Sequence, residues 1–444
     1  MLTNIVPIFT LQAPADEQSA VDGSVAAQSG LPRTGTLQPG KIVRDDAGSI
    51  FLQQPSGAVE GADSGAQDDA SPPSVPVGVT EPIGEEVTGL PPPAKLKAGV
   101  VQRSDAGDLT LAPHSPQELR VCKPQTAMPD CNFLSLADAV AAAQPGDTIL
   151  LSKGVYEEAA LVTVSGLTIK AEPGAHLRRR AVEGKAALVI RADDVVVEGL
   201  ECSEISVPDG NGACVRIEGR NLTLRGVYFH DNQEGVLGGV GGWVLVEDSI
   251  FERNGGRRGY SHGLYIARSV EEFTFRRNKV LGTKDEGQGV KSRAQKTIIE
   301  DSVIAGLASR DSRAIDIPNG GDIVIRGNVL QKGPNSSNSQ MIGLGLEGSL
   351  HPQSQAVVEN NLIIFDDKLP DWVKIVDDTI PITSRSGTVV HSQLPNVMLN
   401  NNAVVGVPKM FTGEGVAEAN NRRYPTRARA NLLEYPALPE PGVR

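Results

Sequence analysis

Short runs of alternating apolar and polar positions fill the second half of the chain, and one phrase recurs among them. An apolar strand is followed by Glu, Asp or Arg, then by Gly, Asp or Asn, then by a second apolar strand. The phrase reads VVVEGLEC (195–202), LTLRGVYF (222–229), VLVEDSIF (244–251), FTFRRNKV (273–280), TIIEDSVI (297–304), IVIRGNVL (323–330), VVENNLII (357–364) and VMLNNNAV (397–404). The residue after the paired positions is Leu200, Val227, Ser249, Asn278, Ser302, Asn328, Asn361 and Asn402, at intervals of 27, 22, 29, 24, 26, 33 and 41. Each interval holds two or three short strands with β-branched residues at alternate positions, which fits one turn of a solenoid. A propeller blade would run to about 40–45 residues and show hairpin turns. The pattern therefore predicts an all-β chain, a right-handed parallel β-helix, whose coils bury one continuous core. Asn, Ser or Gly at the bend would ladder from coil to coil.

A further strand precedes each phrase: ALVIR (187–191), CVRIE (214–218), GVLGG (235–239), GLYIA (263–267), GVKSR (289–293) and AIDIP (314–318). Its outward position reads Val189, Arg216, Leu237, Tyr265, Lys291 and Asp316, at intervals of 27, 21, 28, 26 and 25. One face thus changes from bland to reactive in mid-stack. Ahead of the coils, Ser135 can N-cap a helix over Leu136 to Ala143 that Pro145-Gly146 stops, before DTILL begins a strand. Such a helix would cap the exposed end of the core.

Composition changes this picture at the N-terminus. Much of the Gly (48) and Pro (30) lies before residue 115, in stretches such as SGAQDDASPPSVPVG and TGLPPPAKLKAG. Residues 1–115 read as a low-complexity, disordered arm with brief strand-like pieces such as SIFLQ (49–53), residues 116–410 as the β-helix, and 411–444 as a tail. Four cysteines form two local pairs, Cys122 with Cys131 and Cys202 with Cys214. Disulfides in an oxidising compartment and buried thiols both remain open, and the spacing is not that of a zinc site. The start, MLTNIVPIFTLQAPADEQSA, lacks a basic n-region, and no stretch is long enough to span a membrane. A periplasmic or secreted location is expected from fold and cysteines. The formal charge of −12 argues against a nucleic-acid partner, but leaves room for a local cationic cleft that takes a polyanion.

The chemistry concentrates in YSHGLYIA (260–267), EGQGVKSRA (286–294) and SRAIDIPNGG (312–321), preceded by FHDNQEGVLGG (229–239). Coils about 4.8 Å apart would gather Asp231, Glu234, His262, Tyr265, Lys291, Arg293, Arg313, Asp316 and Asn319, with Glu347 in GLEG extending the patch by one coil. β-Elimination from a uronate needs its carboxylate neutralised, a base for the C5 proton and an acid for the leaving oxygen. Arg293 and Arg313 suit the first task by bidentate contact. Lys291 is the candidate base, with His262 and Tyr265 for proton transfer. A C5-epimerase would use the same groups. Glu234, Asp316, Asn319 and Glu347 are the candidate substrate-binding residues. Each type also has a bland role: a strand-edge imidazole for His262, an exposed lysine for Lys291, stacking for Tyr265, and turn capping for Asp316 and Asn319. Arg276 and Arg277 read as solvated surface. No cofactor is required, although calcium (Ca2+) on Asp231 and Glu234 would share the neutralising role. The long intervals of 33 and 41 place loops on the late coils, where they can close a cleft.

The phrases NQEGVLGG, SHGLYI, GVKSRA, IDIPNGG and QKGPNSSNSQMIGLGLEG resemble a broad group of bacterial right-handed β-helix proteins of the pectate-lyase-like superfamily, over roughly residues 133–405. VKS at 290–292 resembles the NKS phrase of the chondroitin and alginate lyases, which implies Lys291 as base. Those lyases carry a catalytic arginine one coil on, in a phrase like LRHGN. Here that coil reads AIDIPNGG, and the nearest arginine is Arg313, with Arg293 and Tyr265 as alternatives. HG followed by GVK is also similar to the HG and RIK phrases of polygalacturonase-type inverting hydrolases, for which Glu234 with Asp231 or Asp316 would be the carboxylates. The expectation is a lyase or C5-epimerase acting on an acidic, uronate-containing polysaccharide. An inverting hydrolase and a noncatalytic polysaccharide-binding, export or adhesin protein are the alternatives.

Overall fold

A computed structural model describes residues 41–44, 50–53, 99–103, 109–123, 129–256, 258–366, 387–406, 408–425 and 430. The chain divides into two compact units, Met1–Gly89 and Leu90–Arg444. In the first, Lys41–Arg44 pairs antiparallel with Ile50–Gln53, so the SIFLQ piece is a strand. The rest of the expected disordered arm lies almost wholly outside the described residues, as does most of the tail beyond Tyr424. The second unit holds a short antiparallel pair, Gly99–Arg103 with Leu109–Pro113, and then the stack of coils.

The stack is a right-handed parallel β-helix made of three sheets of twelve, eleven and ten strands, each running in chain order. One coil shows the plan: Ala213–Ile217 belongs to the ten-stranded sheet, Leu222–Arg225 to the twelve-stranded and Tyr228–His230 to the eleven-stranded. The stack begins at Glu118–Val121 and continues through Lys409–Thr412 and Val416–Ala419 to Arg422–Tyr424. Alternate residues turn inward to a single apolar core, in which Phe229, Phe251, Phe273 and Phe275 are fully buried. The helix Leu136–Ala142 has Ser135 as its N-cap and packs Leu136, Ala139 and Val140 onto the first coils, closing that end of the core.

The recurring phrase is a corner. Its second polar position takes a left-handed backbone coil after coil, with φ of 68° at Gly199, 61° at Gly226, 53° at Asp248, 50° at Asp301 and 55° at Asn360, which is why Gly, Asp and Asn prevail there. The next residue makes the ladder: Ser249 N–H donates to Asn278 Oδ1 (2.8 Å), Ser302 N–H to Asn328 Oδ1 (3.0 Å), Asn328 N–H to Asn361 Oδ1 (3.0 Å) and Asn361 N–H to Asn402 Oδ1 (3.0 Å). These buried side chains satisfy backbone groups that the turn removes from the sheets.

The first polar position of the phrase also forms a column. Glu198, Arg225, Glu247, Arg276, Glu300, Arg326 and Glu359 stand in register with alternating sign. Arg225 reaches Glu198 (2.6 Å) and Glu247 (2.8 Å), and Arg276 and Arg277, solvated with side chains 38% and 47% exposed, both pair with Glu247. Both cysteine pairs are disulfides, Cys122–Cys131 at the capped end and Cys202–Cys214 between strands of successive coils. Among the described residues no helix is long and apolar enough to cross a membrane.

Candidate functional site

The outward column of the ten-stranded sheet is the one read from sequence. Register pairs Val189 with Arg216, Arg216 with Leu237, Leu237 with Tyr265, Tyr265 with Lys291 and Lys291 with Asp316, then continues to Gly343 and His391. Although it faces outward, the centre of the column is covered: Lys291 is 7% exposed and Asp316 0%.

Two features provide the cover. The 33-residue interval between Asn328 and Asn361 carries a loop, 345–354, that brings Glu347 over the sheet. Lys291 Nζ lies 3.1 Å from Glu347 Oε1 and 3.3 Å from Asp316 Oδ2. Arg293 bonds Glu347 through Nη2 (2.5 Å) and Asn319 Oδ1 through Nη1 (2.6 Å). The loop is pinned where Asn319 Nδ2 donates to the carbonyls of Glu347 and Ser349 (3.0 and 2.9 Å) and Arg268 Nη1 to that of Ser349 (2.7 Å). Asn319 therefore positions the loop. The second cover is Arg313, which lies across Gly343: a Cβ there would stand 2.7 Å from Arg313 Cδ and 2.8 Å from Asp316 Oδ1. With that space free, Arg313 Nη1 reaches Asp316 Oδ1 (3.2 Å) and Nε donates to Gln340 Oε1 (2.8 Å), and Gln340 in turn meets His391 Nδ1 (2.8 Å).

Burial separates the two carboxyls of this cluster. It pushes Asp316 up against the opposing pull of Arg313 and Lys291. Glu347 is less buried, and there Lys291 and Arg293 outweigh desolvation and hold the carboxyl below its ordinary value.

His262 and Glu234 are buried beside the Tyr265–Lys291 part of the column. His262 lies two residues ahead of the strand Leu264–Ile266 and is 3% exposed. Its backbone N–H donates to Glu234 Oε2 (2.9 Å), and its Nδ1 accepts from Gln288 N–H (3.3 Å). Burial first, then Lys291 and Arg293, lower its pKa to about 3, so the ring is neutral at ordinary pH. It stacks on Tyr265 at 5.8 Å, and the Arg293 guanidinium lies 5.9 Å from the Tyr265 ring. Glu234 is 1% exposed, and burial raises its carboxyl well above the ordinary range.

Asp231 and Glu234 are not presented together. Asp231 follows the strand Tyr228–His230 of the eleven-stranded sheet and is held by Arg253 (2.6 Å) and His230 Nδ1 (2.8 Å). Glu234 opens the strand Glu234–Gly238 of the ten-stranded sheet and bonds His262. The residues that the sequence reading missed are Gln340, His391, Arg268 and Gly343. Gly343 and His391 continue the same column and were open to the same count.

Neither a protein-family model nor a curated protein matches this chain. Solved structures similar to it include an alginate lyase from Paenibacillus sp. str. FPU-7, 17% identical with a TM-score of 0.41 over 70% of this chain and 96% of that one. A pectate lyase is 16% identical with a TM-score of 0.43 over 69% and 80% of the two chains. A surface adhesin of Streptococcus pneumoniae is 13% identical with a TM-score of 0.44 over 65% and 86%. The parallel β-helix itself rests on the three parallel sheets of this chain. Likeness at this level concerns the path of the chain, and what this chain does has to be argued from its own side chains.

Proposed function

We propose that the face around Lys291 is an active site for an acidic, uronate-containing polysaccharide, working by β-elimination or C5 epimerisation. The observation that carries this reading is an excess of cations: Lys291, Arg293 and Arg313 converge on one sheet face around Asp316 and Glu347, in a chain of net charge −12. A local cationic face on an anionic protein selects an anionic ligand.

In this reading the substrate carboxylate takes the place of Glu347 on Arg293 and engages Arg313 bidentately, which acidifies the C5 proton. Lys291 Nζ, as the neutral amine left once Glu347 is displaced and its proton has been released to solvent, removes that proton, the C4–O bond breaks with its electron pair going to oxygen, and a C4=C5 double bond forms. Tyr265 or Asp316 supplies the proton to the leaving oxygen, Asp316 being a carboxyl that burial favours in its protonated form. An epimerase returns a proton to C5 from the opposite side instead. His262 acts as a positioning residue through its stack on Tyr265. The disulfides suit an oxidising compartment, which supports a secreted or periplasmic protein.

A second reading, hydrolysis, is favoured by one feature: Asp316 is shifted up and Glu347 down while both contact the same ammonium, the pattern of an acid and a base set apart by environment. Incubation with a panel of acidic polysaccharides separates the readings. Ultraviolet absorbance of an unsaturated uronate, abolished in Lys291→Ala, supports elimination. New reducing ends without that absorbance support hydrolysis. Inversion at C5 seen by NMR without cleavage supports epimerisation, and affinity without any product makes the chain a binding or adhesin protein.

A further inference from the structure

A second cluster lies on a different sheet and is independent of the proposal above. In the eleven-stranded sheet Leu177, Cys202 and Phe229 point into the core, so the residues that alternate with them face outward. There His176 stands in register with Glu201, and Ser203 with His230. Glu201 Oε1 lies 3.6 Å from His176 Nδ1 and 3.4 Å from His230 Nε2, and the three donor atoms all fall within 4.8 Å of one another.

Zn2+ bonds of about 2.0–2.2 Å put tetrahedral donor atoms about 3.3–3.6 Å apart. Two of the three separations here already have that length, so only a small swing of one imidazole completes the set. The other nitrogen of each ring is also held. His230 Nδ1 is 2.8 Å from Asp231 Oδ2, and Asp231 is itself clamped by Arg253 at 2.9 and 2.6 Å. His176 Nε2 is 2.7 Å from Ser203 Oγ. A carboxylate or hydroxyl behind the imidazole fixes the tautomer that turns a lone pair to the metal, and raises ligand basicity. Tyr228 stacks on the His230 ring at 4.3 Å and donates its hydroxyl to Glu252 (2.6 Å), which restricts the ring further.

We propose that His176 Nδ1, Glu201 Oε1 and His230 Nε2 form a divalent transition-metal site, suited to Zn2+, with Asp231 and Ser203 as its outer supports. Three protein ligands leave a fourth position for water or a ligand oxygen, the arrangement of an open rather than a closed zinc site. The arrangement also gives Asp231 a role that the uronate site does not use. The side chains of His176, Glu201 and His230 are 15%, 22% and 16% exposed, so the site is reachable from solvent.

The test uses the full chain without a histidine tag, stripped with a chelator and titrated with Zn2+ by calorimetry, and with Co2+ followed by its visible absorption. The expected result is one ion per chain and a tetrahedral Co2+ spectrum. The double variant His176→Gln with His230→Gln is expected to lose binding at least about a hundredfold. Asp231→Asn is expected to weaken it about 10–100-fold, because it touches the metal only through the imidazole. Lys291→Ala should bind as the wild type does. Should the double variant misfold by circular dichroism, Glu201→Gln supplies the same comparison with the smallest change of shape. No binding by the wild type, or binding that the ligand substitutions leave unchanged, would overturn the proposal.

Discussion

Two outward faces of the same solenoid carry stacked charges and use them differently. On the twelve-stranded sheet Glu198, Arg225, Glu247, Arg276, Glu300, Arg326 and Glu359 alternate in sign, so each residue meets its complement one coil above and below. On the ten-stranded sheet the column reads Leu237, Tyr265, Lys291, Asp316, Gly343 and His391, with Arg293, Arg313 and Glu347 brought in from its edges. A ladder of alternating charge satisfies itself and remains partly in water, which is what a scaffold requires. The other column mixes types and buries Lys291 and Asp316, and the burial that raises the Asp316 carboxyl costs stability, which is retained where chemistry needs it.

Substitutions on the two faces should therefore fail in different ways. The largest effect is expected for Lys291→Ala, with turnover of an acidic polysaccharide falling about 10²–10⁴-fold while the far-ultraviolet circular dichroism is unchanged. Glu247→Ala is the counterpart on the ladder. It leaves Arg225, Arg276 and Arg277 without a shared partner that is itself 5% exposed, and should lower stability by about 1–3 kcal/mol in urea denaturation while sparing the activity of the folded fraction. If the two variants lost activity and stability in the same proportion, the distinction between the faces would collapse.

An acid titration of stability sharpens the contrast. His262 has its pKa lowered from 6.5 to about 3, so the unfolded chain binds a proton that the folded one refuses, and stability should fall as pH drops from 6.5 toward 3. Glu247 is pushed up by burial and pulled down further by Arg225, Arg276 and Arg277, from 4.5 to about 2, so its contribution is present above 4.5 and is lost only below that. His262→Gln should reduce the loss between pH 6.5 and 4.5, to which His176 and His391, also lowered by burial, still contribute, and leave the steeper loss at lower pH. The smallest effect is expected for Arg326→Ala, whose side chain is 53% exposed and whose pairing with Glu300 should contribute no more than about 1 kcal/mol.

The fold was legible because the phrase that repeats is the corner itself. The left-handed position needs Gly, Asp or Asn, and the ladder position needs a short polar side chain, so backbone geometry wrote itself into the residue types. Ser135 and Pro145-Gly146 marked the capping helix in the same manner, with Ala143 as C-cap and not as the last helical residue. The column through Tyr265, Lys291 and Asp316 could be counted out because the period of each strand is two.

His262 lies ahead of the strand Leu264–Ile266, so parity alone does not place it, and its stack on Tyr265 depends on the turn before Leu264. Asp231 and Glu234 are near in sequence but lie on either side of a corner, and distance along the chain says nothing about a corner. The contact of Glu347 with Lys291 was beyond reach for a different reason. It depends on the path of the 345–354 loop, which Asn319 and Arg268 fix through backbone carbonyls that carry no sequence signature. The alternating charges of the ladder were visible in the repeated phrase, where Arg276 belongs to the series and Arg277 joins it from the turn.

The most direct test of the central claim is a crystal structure of Lys291→Ala soaked with a uronate oligosaccharide. The account predicts sugar across Tyr265 and Asp316, with a carboxylate on Arg293 or Arg313 and Glu347 displaced. Oligosaccharide bound only on another face, with Arg293 still on Glu347, would contradict it.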